Sequence, residues 1–61
     1  MERIIQILIE RDGMTREDAK ALVRETREMI LEAASNGDFM ECDQIMADQL
    51  GLEPDFIMDI L

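Results

Sequence analysis

The chain lacks histidine, tryptophan and tyrosine, and it contains one cysteine, Cys42, and one serine, Ser35. A single cysteine cannot form an internal disulfide, and without histidine there is no zinc-ligand set of the usual Cys/His kind. Nucleophilic catalysis pairs Ser, Cys or Thr with an activating base, and no histidine is present to activate Ser35 or Cys42. Three scattered glycines form no glycine-rich phosphate loop. We therefore expect no enzyme activity, no metal and no cofactor.

Long apolar runs are also missing. No stretch approaches the roughly 20 apolar residues that a bilayer-spanning helix needs. The run from Ile4 to Ile9 is too short and too poorly flanked to be a signal peptide. The sequence therefore predicts a cytoplasmic protein that does not bind membranes.

Basic residues are absent from the second half of the chain. The 61 residues include 15 acidic and 6 basic ones, which gives a formal net charge of −9 and a pI near 4.1. All six basic residues lie in the first 27 positions together with six acidic ones, and the remaining 34 positions hold nine acidic residues and no basic one. A hydrophobic content of 48% is too high for a disordered acidic tail, so we expect one small folded domain over residues 1–61.

Hydrophobic periodicity predicts helices. In the segment from Glu2 to Arg11, an angle of about 100° per residue gathers the polar residues into one arc and the aliphatic residues into the remainder, so a helix is favoured over a strand. Asp12-Gly13 is a typical helix end. The apolar arc is wider than one neighbouring helix can cover. The first helix therefore lies between two others or in an oligomer interface.

The second helix is predicted from about Arg16 to about Ser35, with Thr15 as its N-cap. Its apolar face comprises Ala19, Leu22, Val23, Thr26, Met29, Ile30 and Ala33. Asn36-Gly37 ends this helix, and Asp38 begins the next one as an N-cap acceptor.

The third helix is predicted from Phe39 to Leu50, and its apolar face comprises Phe39, Cys42, Ile45, Met46 and Leu50. Gly51 and Leu52 indicate a Schellman ending, and Pro54 suits the first position of a final short helix. The predicted fold is all-α, a compact bundle of three to four short helices with a helix-turn-helix-like corner at the C-terminal end.

That corner rests on residues 43–60, which resemble the helix-turn-helix motif of DNA-binding repressors. Ala47, Gly51 and Ile57 match the small residue, the turn glycine and the apolar residue of the motif. The positions that would enter the major groove are Pro54, Asp55, Met58 and Asp59. Because none of them can neutralise a phosphate, we do not expect direct nucleic-acid binding, and a DNA-binding protein is the third hypothesis.

A second resemblance covers more of the chain. The segments Leu8 to Ala19, Gly37 to Glu41 and Leu50 to Phe56 are similar to small acidic helical proteins of Firmicutes-type bacteria and their phages or mobile elements. That group has no established activity. The resemblance implies an accessory or phage-related role.

These observations favour a non-enzymatic module that binds a protein partner or a second copy of itself, with a dimer as the preferred assembly. The residues expected at the interface are Ile5, Ile7, Ile9, Phe56, Met58 and Leu61. Met40 and Met58 lie near the polar sides of their helices and are candidates for exposed contacts, whereas Met29, Cys42 and Met46 are expected in the core.

The alternative hypothesis is an acidic protein that mimics DNA and inhibits a nucleic-acid-binding protein. Such a mimic needs carboxylates at intervals like those of phosphates. The candidate acidic face comprises Glu28, Glu32, Glu41, Asp48, Asp55 and Asp59.

Overall fold

Helices and helical turns make up all the regular secondary structure of the computed structural model, which describes all 61 residues. The elements are α1 (Glu2–Asp12), α2 (Arg16–Ser35), α3 (Phe39–Ile45), a π-helical turn (Met46–Leu50), a 3₁₀ turn (Pro54–Phe56) and α4 (Ile57–Ile60). No strand is present, which confirms the predicted all-α fold.

Local hydrogen bonds explain where α1 ends and where α2 begins. Gly13 adopts the left-handed conformation with φ +68°, and its N–H donates to the carbonyl oxygen of Ile9 at 3.0 Å. Thr15 Oγ1 accepts a 3.1 Å hydrogen bond from the backbone N–H of Asp18. These are the glycine ending and the N-cap that the sequence predicts.

The end of the third helical segment differs from the prediction. The predicted helix does reach Leu50, but Met46–Leu50 continues α3 as a π-helical turn. Gly51 has φ +63° and ends the segment as expected, but the N–H of Leu52 donates to the carbonyl oxygen of Met46 at 3.3 Å. A Schellman motif would join Leu52 to Ala47, so the wider turn shifts this bond by one residue.

One hydrophobic core joins the elements, and α2 packs against both α1 and α3. The 11 buried residues of this core are Ile4, Ile5, Leu8, Ala19, Val23, Ile30, Cys42, Ile45, Met46, Leu50 and Ile60. Thr26 is the buried polar residue, and its hydroxyl donates to the carbonyl oxygen of Leu22 at 2.8 Å. The core placement of Cys42 and Met46 is confirmed, and Met29 packs half-buried against the core.

One predicted core position is wrong, and one predicted interface residue is buried. Phe39 was expected on the apolar face of the third helix, but it is 69% exposed. No residue between Leu31 and Glu41 is buried, so the core does not extend to the start of α3. Ile5 was expected at an interface, but it is 5% exposed because the core closes over the face of α1 that it shares with Ile4 and Leu8.

Residues 43–60 follow a helix, a turn and a second helical segment. The second segment consists of the 3₁₀ turn and the four residues of α4, Ile57–Ile60. Ala47 is exposed, so it does not serve as the small buried residue between two helices. The corner therefore has the connectivity of a helix-turn-helix with a very short second helix.

Candidate functional site

A groove of about 270 Å³ lies between the C-terminal half of α2 and α3. We call it the acidic groove. Its seven lining residues are the apolar Met29, Ala33 and Ile45, the acidic Glu32, Asp38 and Glu41, and the polar Asn36.

The local sequence explains how these side chains come together. Met29, Glu32 and Ala33 lie three and four residues apart on α2, which places them on one side of the helix. Asp38 is the N-cap of α3, and its Oδ1 accepts the backbone N–H of Glu41 at 3.2 Å. This bond begins α3 at Asp38 and so places Asp38 and Glu41 in its first turn, beside the groove.

No basic side chain neutralises the acidic groove. The ion pairs of the protein are Arg3–Asp59, Arg11–Asp12 and Arg16–Glu2, and they involve no residue of the groove. Since residues 28–61 contain no Lys or Arg, the groove lies in the part of the chain that carries the whole net negative charge.

Two large apolar residues lie in the sequence between Asp38 and Glu41, which line the groove. Phe39 is 69% exposed and Met40 is 85% exposed. The exposure of Met40 and of Met58, at 82%, confirms the prediction that both lie outside the core. The groove and these two neighbouring residues thus combine apolar side chains with carboxylates.

A second cluster, the Arg3 corner, joins α1 to the C-terminal segment. The guanidinium carbon of Arg3 lies 4.9 Å from the centre of the Phe56 ring, and Nη1 lies 3.6 Å from Asp59 Oδ2. Glu53 and Asp55 also line this depression of about 230 Å³. With three carboxylates around one guanidinium, the corner does not suit an anionic ligand, and its contacts serve to hold the last helical turns against α1.

Shifted pKa values occur on and beside α1. Hydrogen bonding to Arg16 lowers the pKa of Glu2, and hydrogen bonding to Arg11 lowers the pKa of Asp12. The same hydrogen bond raises the pKa of Arg11. These shifts arise from ion pairs, one within α1 and one between α1 and α2, and do not indicate acid–base chemistry.

The predicted interface residues are separated by the fold. Ile5 is buried, Ile7 and Ile9 are half-buried on α1, and Phe56 is half-buried under Arg3. Met58 and Leu61 remain exposed, Leu61 at 53%. The structure thus leaves two of the six side chains freely exposed.

The six predicted acidic residues do not form one row. Glu32 and Glu41 border the acidic groove, and Asp55 and Asp59 border the Arg3 corner. Glu28 and Asp48 line neither depression.

Sequence reasoning missed Asp38 as a groove residue and Phe39 as an exposed one. The signal for the groove was partly present, because Met29 and Ala33 lie beside Glu32 at the edge of the apolar face of α2. The placement of α3 against that edge was not encoded in any local pattern.

The remaining reactive groups lie outside both depressions. Cys42 Sγ lies within the core, 3.5 Å from the carbonyl oxygen of Ile30, and Ser35 Oγ donates to the carbonyl oxygen of Glu32 at 2.8 Å. No three acidic or cysteine side chains are arranged to hold a metal ion.

Comparisons of the chain with protein-family models, with curated proteins and with solved structures give no match. None of its helices combines the length and the apolar character that crossing a bilayer requires.

Proposed function

We propose that this protein is a non-enzymatic interaction module that binds another protein chain through the acidic groove and the apolar side chains beside it. One observation carries the proposal: Phe39 and Met40, which lie in the sequence between two lining residues of the groove, are 69% and 85% exposed. Aromatic and Met side chains are typical of the contact surfaces of binding proteins.

Photo-crosslinking tests this function directly. A photoreactive phenylalanine analogue is placed at Met40, and a matched control carries the same analogue at Lys20, which is exposed on α2. We expect a discrete covalent adduct from position 40 in cells that make the protein, and none from position 20. An adduct of twice the chain mass identifies a second copy, and any other discrete mass identifies a foreign partner. Absence of a position-specific adduct contradicts the proposal.

An acidic inhibitor that mimics DNA is the second candidate function. The observation in its favour is the segregation of charge, since residues 28–61 carry nine acidic residues and no basic one. Salt distinguishes the two functions. An apolar interface survives about 1 M salt, whereas a charge mimic releases its partner as the Debye length falls to about 3 Å. Loss of the position 40 adduct when the crosslinking is repeated in a lysate at about 1 M salt would therefore favour the mimic.

A further inference from the structure

The acidic groove suits a particular kind of partner. Three of its lining residues are apolar, its three carboxylates have no basic partner within the chain, and its volume is about 270 Å³. A volume of that order accommodates a single large side chain and not a folded domain. The groove therefore fits one anchor side chain of a partner segment, flanked by groups of positive charge.

A single metal ion does not fit this arrangement. No three acidic side chains converge closely enough to ligate one ion. The separated carboxylates of the groove and its apolar side chains are instead complementary to an amphipathic cation. Lys and Arg place their methylene groups on apolar surface while the charged ends remain in water beside carboxylates.

A second copy of this chain is a poor occupant. Arg3, Arg11 and Arg16 form ion pairs within the chain. The other basic residues, Lys20, Arg24 and Arg27, lie on α2 among residues of both signs. Each copy carries a net charge of −9, so two copies repel each other at this acidic end.

We propose that the acidic groove is the docking site for a short cationic amphipathic helix of a foreign partner protein. This inference rests on the proposed function and names the class of partner. In this mode the helix places an apolar anchor against Met29 and Ala33, and its Lys or Arg residues one turn away face Glu32 and Glu41. Helix-in-groove recognition uses this spacing of three and four residues.

The test uses a fluorescently labelled 18-residue Lys/Leu peptide designed as an amphipathic helix, titrated with the protein and followed by fluorescence anisotropy. A scrambled peptide of the same composition has the charge without the apolar face, and a Glu/Leu peptide has the face without the positive charge. We expect the amphipathic Lys/Leu peptide to bind most tightly and the Glu/Leu peptide not to bind. Equal affinity for the scrambled peptide would overturn the proposal.

Charge-neutralising variants locate the site. The double variant Glu32→Gln/Glu41→Gln should weaken binding about fivefold, since each exposed ion pair contributes about two- to threefold. The matched control Glu10→Gln/Glu25→Gln changes the net charge equally at exposed positions that do not line the groove. Equal weakening in both variants would show that only the overall charge attracts the peptide, and would overturn the site.

A third variant, Ala33→Gln, replaces an apolar lining residue of the groove with a larger polar one. It should abolish binding of the peptide, and circular dichroism should show that the protein is still helical. If it fails to fold, the charge variants still decide the question. A position-specific crosslink at Met40 without peptide binding would leave the proposed function intact and overturn the class of partner. An adduct of twice the chain mass that disappears in Glu32→Gln/Glu41→Gln would assign the groove to a second copy and overturn this inference.

Discussion

Nη2 of Arg11 donates a 2.6 Å hydrogen bond to the carbonyl oxygen of Leu50, a residue 39 positions away in the sequence. Nη1 donates to the carbonyl oxygen of Gly51 at 3.3 Å, and Asp12 accepts from Nε and Nη2 at 2.9 Å each. The last carbonyl groups of a helix have no partner within it. Arg11 thus satisfies the end of the π-helical turn and joins it to the end of α1.

Replacing Arg11 should therefore destabilise the fold. The guanidinium has enough fixed donors to bind Asp12, Leu50 and Gly51 together, and a lysine ammonium cannot reproduce that geometry. We expect Arg11→Ala to lower the Tm by several degrees and Arg11→Lys to recover only part of the loss. The control Arg24→Ala removes an exposed arginine without an ion pair and should leave the Tm unchanged. Identical Tm values for Arg11→Ala and Arg24→Ala would contradict this role.

The Arg11–Asp12 pair also predicts a dependence of stability on pH. Hydrogen bonding to Arg11 lowers the pKa of Asp12 in the folded state. Between this lowered pKa and the usual Asp pKa, the folded protein therefore binds fewer protons than the unfolded chain. The stabilisation is complete above the usual Asp pKa of about 4 and disappears as the pH falls through the lowered value.

The measurement is urea unfolding of the wild-type protein and of Asp12→Asn between pH 7 and pH 2. We expect the wild type to be more stable at pH 7 and the difference to shrink below about pH 4. Asp43→Asn, which removes an exposed carboxylate without an ion pair, serves as the control for lost negative charge. A difference between wild type and Asp12→Asn that stays constant with pH would rule out the ion pair as its source.

The burial of Ile5 distinguishes it from Ile7 on the same helix. Ile5→Asp places a carboxylate at a position that is 5% exposed, and its burial costs several kcal/mol. A core of this size supplies about 3–5 kcal/mol in total, so we expect the variant to be unfolded. Ile7→Asp changes a half-buried side chain and should cost about 1 kcal/mol. Far-UV circular dichroism at 25 °C compares the two, and a folded Ile5→Asp would contradict the assignment of Ile5 to the core.

Local chemistry explains which parts of the fold can be predicted from the sequence. Thr15 and Asp38 cap their helices through hydrogen bonds to N–H groups three residues away, and Gly13 and Gly51 end helices because they tolerate positive φ. Each of these features depends on neighbours in the chain. The end of α1, the starts of α2 and α3 and the end at Gly51 therefore follow from the sequence alone.

The parts that could not be predicted depend on distant contacts. Arg11 meets Leu50 only because α1 and the π-helical turn end at the same place, and no spacing rule links residues 11 and 50. Phe39 has the right helical phase to be buried, yet the core stops before it reaches the start of α3. Glu32 and Glu41 were each recognisable as surface acids, but their shared groove follows from the packing of α2 against α3.

Cys42 provides a test of the core at the centre of that packing. Its side chain is 4% exposed, and its thiol donates to the carbonyl oxygen of Ile30 at 3.5 Å. Modification of a buried thiol requires an opening of the structure. With about 3–5 kcal/mol of stability, the open fraction is on the order of one in 150 to one in 5,000.

We therefore expect Cys42 to react with Ellman's reagent at least about 100-fold more slowly in the folded protein than in urea. Ser35→Cys in a Cys42→Ala background places the thiol at an exposed position near the end of α2 and should react at the rate of a free thiol. Comparable rates for the folded wild-type protein and the folded Ser35→Cys/Cys42→Ala variant would show that Cys42 is accessible. They would also place the thiol on the protein surface, where it can form an intermolecular disulfide, and would remove it from the contact between α2 and α3.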